Sequence, residues 1–186
     1  TGLIHAIGSM ILRRACMDAA QWPDGVRVAV NLSPLQFRIG NLLAVVMDAL
    51  KTSGLPPKRL ELEITESLLM EDREKTALIL GELARMGVSV AVDDFGTGFS
   101  SLTWLKRFPI TQIKIESSFV RGIGYDPRDE AIVQSVVELA AKLGQEIVAE
   151  GVENLEQLQR LRSLGVRQVQ GYLFSEPFPA SELSDE

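Results

Sequence analysis

One cysteine and one histidine stand in 186 residues, and each scarcity removes a class of function. Cys16 cannot close an internal disulfide, so a disulfide-stapled scaffold is excluded. It lies in a helical pattern, where a small core residue is expected. His5 belongs to the same helix, and no Cys/His set of the kind that holds zinc is present. No apolar run approaches the ~20 residues needed to cross a bilayer, and nothing resembles a signal peptide. A cytoplasmic setting is therefore expected, either alone or as the cytoplasmic part of a larger, membrane-attached protein, with no membrane contact by this domain. Excess basic charge is missing as well, because the net charge is −6. A DNA or RNA duplex calls for basic surface, so an anionic ligand needs local cations here.

What is present is one domain's worth of chain, with 46% apolar residues to build a core. Its strand-like runs carry polar groups in a regular way. VRVAVN, LELEITE, VSVAVDD, TQIKIE, EIVAE and VQGYLF hold Asn31, Glu63, Asp93 with Asp94, Lys114, Glu150 and Gln170. All but the last place the polar residue at or near the downstream end. Helical patterns lie between them. The first runs from about 4 to 20, with Ile4, Ile7, Ile11 and Ala15 in helical spacing. Others cover about 41–52 and 72–86, then the stretch with Ile132, Val133, Val136, Val137 and Ala140. A last one carries Leu155, Leu158, Leu161 and Leu164. Gly54, Gly87, Gly144 and Gly165 follow these helices directly, which fits a left-handed cap.

Strands alternating with helices predict an α/β fold with a parallel sheet. In a closed (β/α) barrel, polar residues at the C-terminal strand ends read as catalytic. Carboxylates, an amide and a lysine gathered on one rim point to a metal site. A closed barrel needs eight strands, whereas six runs and an opening helix are legible here.

Taken together, NLSPLQF, LELEITES, VDDFGTGFSSL, KIESSFV, VAEGVE and VQGYLFSEP resemble the EAL-domain family of cyclic di-GMP phosphodiesterases. The resemblance runs from Thr1 to about Pro179, with every motif in family order. It implies a modified TIM barrel, two divalent cations, and linearisation of cyclic di-GMP to pGpG in bacterial second-messenger signalling. The name-giving Glu-Ala-Leu belongs upstream of TGLIHAIG, with another strand and a helix. The expectation is thus an EAL-type domain over residues 1–186 that is N-terminally incomplete, lacking the barrel's first two strands and first helix. That span alone is expected to be inactive.

The resemblance also implies roles. Asn31, Glu63 and Asp93 hold one cation with the upstream glutamate, and Asp93 bridges to a second held by Asp94 and Glu150. All-oxygen ligands suit Mg²⁺ or Mn²⁺. Lys114 contacts the attacking water, Gln170 helps hold that water or the lysine, and Glu153 orients the ligands; with Glu150 they form the catalytic set. Glu66 anchors the loop FGTGFSS, whose Gly96, Thr97 and Gly98 couple metal, substrate and dimerisation. Phe99 replaces the commoner tyrosine, and Glu116 stands at a position usually held by aspartate. Implied partners are cyclic di-GMP, a second copy of the chain, and an upstream sensor or diguanylate cyclase domain.

Blander readings compete at several positions. Asp93-Asp94 alone could be a solvated turn. Asp94-Phe95-Gly96 spells a kinase triplet without the catalytic loop a kinase needs. Glu61, alternating with Glu63, reads as supporting or exposed, and Trp104, Leu105 and Phe108 read as helix packing. The functional alternative is a catalytically inactive cyclic di-GMP receptor. Degenerate relatives of that type lose metal ligands or the glycine loop, and this chain keeps both within its span.

Overall fold

Residues Leu60–Thr65 form a strand with its first five positions buried, as a parallel strand covered on both faces requires. The computed structural model describes residues 3–39, 41–70, 72–96 and 103–183. The chain order is α1 (Leu3–Ala19), β1 (Val28–Asn31), α2 (Pro34–Ile39), α3 (Leu42–Ser53), β2 (Leu60–Thr65), α4 (Glu66–Met70), α5 (Arg73–Met86) and β3 (Ser89–Phe95). Then follow α6 (Thr103–Arg107), β4 (Gln112–Ile115), α7 (Ser117–Gly122), α8 (Pro127–Leu143), β5 (Glu146–Ala149), α9 (Leu155–Ser163) and β6 (Gln168–Val169). Strand order follows chain order, and the pairs β1–β2, β3–β4, β4–β5 and β5–β6 are all parallel. This is the expected α/β class. Among the described residues no helix is long and apolar enough to cross a membrane.

The chain divides into two compact units, with the boundary inside β3. The first comprises Thr1–Val90, Arg107–Pro109 and Phe178–Glu186. Here β1 and β2 run in register from Val28↔Leu60 to Asn31↔Glu63, and α1 packs on α3. The buried face of α1 is Leu12, Cys16 and Ala19, whereas Ile7 and Ile11 are 45% and 49% exposed. Helical spacing found the element but selected the wrong row, because apolar residues lie on both faces. Burial pushes the Cys16 thiol up to about 11. Glu61 is buried too, with Arg27 3.6 Å away, so of its two expected places, supporting or exposed, it does not take the exposed one.

A buried arginine fixes the turn between α1 and β1. Arg59 donates to the carbonyls of Val26 at 2.7 Å, Ala19 at 2.8 Å and Trp22 at 3.2 Å. These carbonyls have no strand partner to satisfy them, so one guanidinium does so from outside the turn.

The second unit comprises Ala91–Lys106 and Ile110–Pro177. Its core gathers Val92, Ile113, Ile115, Val133, Ala140, Ala149 and Leu161. Leu105 and Phe108 are buried, the first in this unit and the second in the other, in keeping with packing; the side chain of Trp104 lies outside the described residues. The expected strand VQGYLF is shorter than its pattern, ending at Val169. A Cβ at Gly171 would meet the carbonyl oxygen of Val152 at 2.2 Å and its nitrogen at 2.3 Å. The Leu173 amide then donates to Val152 at 3.0 Å. Close backbone approach turns the chain away from the ladder. Helices α2, α4 and α7 have six, five and six residues, too short for a periodic signal.

Replacing Arg59 with methionine keeps the bulk but removes the guanidinium donor from three carbonyls, of which that of Ala19 keeps the Trp22 amide. Urea unfolding should show a loss of about 3 kcal/mol, with the lysine variant intermediate.

Candidate functional site

Two consecutive residues on a regular strand point to opposite faces, so Asp93 and Asp94 could not normally serve one site. A bulge removes the obstacle. Between the pairs Val92↔Ile113 and Phe95↔Ile115 the register shifts, so that Asp93 and Asp94 on β3 together oppose Lys114 on β4. Bulges of this kind re-aim a side chain. Asp94 takes a left-handed backbone (φ 54°), the one non-glycine among the described residues to do so. Its amide donates to Asp93 Oδ1 at 3.1 Å.

Glu150 arrives from the next strand. It follows β5 directly, and its amide donates to the Ile115 carbonyl at 3.1 Å. One carboxylate oxygen each from Asp93, Asp94 and Glu150 lies within 4.8 Å of the others. Lys114 is only 5% exposed, and its Nζ sits 2.7 Å from Glu150 and 3.5 Å from Asp93. Burial, then the charges of Asp93 and Glu116, push the Asp94 carboxyl up, against the pull of Lys114. The group fits a hard divalent cation. It offers converging carboxylate oxygens with no soft or imidazole donor among them, in a setting that already draws an ammonium inward.

The remaining expected residues fall as follows. Asn31 and Glu63 sit side by side in register on β1 and β2 of the first unit, Asn31 exposed and Glu63 buried. Glu66 opens α4 and is 5% exposed. Its expected anchoring partner includes Thr97 and Gly98, which lie outside the described residues, as does Phe99. Gln170 follows β6, with its amide donating to Ala149 at 2.9 Å and its carbonyl accepting from Val152 at 3.0 Å. Glu153 is exposed, and its amide donates to Gln157 Oε1 at 2.8 Å.

Glu116 has a structural task that the sequence did not reveal. It caps α7, accepting from the Ser118 amide at 2.9 Å, from Ser117 Oγ at 3.0 Å and from the Ser118 hydroxyl. Burial pushes its carboxyl up, but the Ser118 and Ser117 hydrogen bonds and the charge of Arg121 prevail and hold it low. Glutamate is not a favoured cap, so no ordinary capping signal marks it.

Lys114→Met should lower the thermal stability of the metal-free protein, because three close carboxylates lose their buried countercharge. Added Mn²⁺ should then raise the melting temperature more in the variant than in the wild type. Thermal scans with and without Mn²⁺ check both effects.

Several known proteins are similar to this chain. The bifunctional diguanylate cyclase/cyclic di-GMP phosphodiesterase MucR of Pseudomonas aeruginosa is 44% identical over 98% of this chain and 27% of its own length. The solved MucR phosphodiesterase–c-di-GMP complex matches with TM-score 0.93 and 44% identity, covering 99% of this chain and 76% of that one. Klebsiella pneumoniae BlrP1, in a manganese/cyclic di-GMP complex, matches with TM-score 0.86 and 36% identity over 93% of this chain and 45% of that one. BlrP1 was also solved in a calcium/cyclic di-GMP complex. The chain spans 22–27% of the length of curated relatives such as these. The fold is that of EAL domains, a TIM-barrel-like α/β fold. The family described as EAL domain matches residues 1–177, and the chain belongs to it.

Proposed function

We propose that this chain carries the metal-binding and phosphate-handling part of a cyclic di-GMP phosphodiesterase that linearises its substrate to pGpG. The observation that supports this most is the gathering of Asp93, Asp94 and Glu150 around Lys114. It occurs in a family whose relatives are named cyclic di-GMP phosphodiesterases. In this reading Asp93, Asp94 and Glu150 hold divalent cations, Mg²⁺ or Mn²⁺, with Asp93 as the bridge. For Asn31 and Glu63 the ligand role comes from the family resemblance alone. Two such cations, when bound, acidify a water and offset charge on the attacking and leaving oxygens.

The chain's own groups do the rest. Lys114 is held between two carboxylates, and in this reading its ammonium contacts the attacking water or the non-bridging phosphoryl oxygens. Its burial strengthens that interaction relative to bulk water. The water oxygen joins phosphorus as the bond from phosphorus to the 3′ oxygen breaks. The water gives up a proton and the departing 3′ oxygen takes one up. Gln170 steadies the water or the lysine, and Glu153 orients the ligands from the segment after β5. Glu66 anchors the loop that begins at Gly96. A homodimer and an upstream sensor or diguanylate cyclase domain belong to the same proposal. The bifunctional name of MucR supports the latter.

Full-length protein should convert cyclic di-GMP to pGpG with Mg²⁺ or Mn²⁺, as followed by chromatography. Ca²⁺, with its looser coordination, should not replace them. Full activity in excess chelator would refute the metal mechanism, and binding without turnover would establish a receptor instead. Asp93→Asn should abolish turnover, whereas Glu153→Gln should cost about 10–100-fold. Steady-state rates decide between them, and equal mild losses would mean that the bridge is misplaced.

A further inference from the structure

We propose that Phe119 is a positioning residue for the acidic cluster: its ring bears on Gly96 and holds the turn that presents Asp94. The inference rests on reading the cluster as a divalent-cation site. The turn has two unusual backbone positions, Asp94 at φ 54° and Gly96 at φ 97°. Aspartate tolerates the left-handed region better than most residues, but the region is still disfavoured for a side chain with a Cβ, and surrounding structure helps to hold it. On one side stands the β4 strand, whose Lys114 faces the bulge. On the other stands Phe119. A Cβ built at Gly96 would lie 3.1 Å from Phe119 Cε2 and 3.5 Å from Cζ. The ring therefore lies directly against the main chain two residues after Asp94, where only a glycine lets it come so close.

Phe119 is itself fixed. Helix α7 has six residues, too few to be stable on intrinsic propensity. It is secured at its start by Glu116, through the Ser118 amide and the two serine hydroxyls. It is secured below by Val120, which is 0% exposed. With both fixed, the half-buried Phe119 ring cannot retreat from Gly96 unless the cap or the core contact is undone. The support is steric, so it depends on the volume of the side chain rather than on any polar group. Truncating it leaves Asp94 free to relax to a commoner backbone, and its carboxylate then leaves Asp93 and Glu150.

The test uses full-length wild-type protein, Phe119→Ala, Phe119→Leu and Leu161→Ala. Three quantities are measured: Mn²⁺ affinity, from the spin-resonance signal of the free ion; melting temperature; and cyclic di-GMP hydrolysis. Phe119→Ala should bind Mn²⁺ about tenfold more weakly, and Phe119→Leu, with much of the volume restored, should recover most of that loss. Leu161→Ala, at a fully buried position of α9 away from α7, should lower the melting temperature at least as much while keeping wild-type Mn²⁺ affinity, which separates positioning from general destabilisation. Unchanged Mn²⁺ affinity in Phe119→Ala, or an equal loss in Leu161→Ala, overturns the proposal. A wild type that binds Mn²⁺ but leaves cyclic di-GMP intact sinks the phosphodiesterase reading alone, since the Mn²⁺ affinities still decide the role of Phe119. A wild type that binds no Mn²⁺ overturns both.

Discussion

Like charges held together are the constraint on which the second unit is organised. Three carboxylates within 4.8 Å of one another repel, and the ammonium of Lys114 brings one positive charge to them. Proteins resolve such a surplus by protonation, by solvation or by a bound cation. The Asp94 carboxyl is pushed up, first by burial and then by the charges of Asp93 and Glu116. A hard dication matches the deficit in charge and in donor type. It also gives an acidic protein the local positive field that a phosphodiester needs. On the proposed reading, the overall charge of −6 does not oppose a doubly anionic ligand, because attraction is decided within a few ångströms.

The backbone, rather than the side chains, makes this gathering possible. The extra residue in β3 turns two neighbours in sequence into neighbours in function. A regular ladder through Asp93 and Asp94 would send one of them to the opposite face. The bulge therefore belongs to the site as much as the acids do.

Most of this was legible from the sequence, and the exceptions share a cause. Polar residues at the ends of β1, β3 and β5 stood out because the rest of each run is apolar, and the glycines after α3, α5 and α8 marked their ends. The buried row of α1 was misread because Ile7, Ile11, Leu12 and Cys16 are all apolar, and only packing separates them. The overlong VQGYLF strand and the unrecognised Glu116 cap came from contacts across the chain, at Val152 in one case and through an unfavoured capping residue in the other. The β3 bulge is likewise a property of a pair of strands, which a single strand's pattern does not encode.

Arg59 carries a consequence for the order in which the chain acquires its structure. Its three acceptors lie 33, 37 and 40 residues away in sequence. Closing a loop of that length costs about 3 kcal/mol of chain entropy before any bond is gained. One guanidinium spends that entropy once for all three bonds, so they form as a set. The segment from Ala19 to Val26 is thus shaped by a side chain that arrives with the next strand. Local backbone bonds turn it at Trp22 and Val26, but a nascent chain ending before Arg59 lacks the guanidinium that ties these turns together.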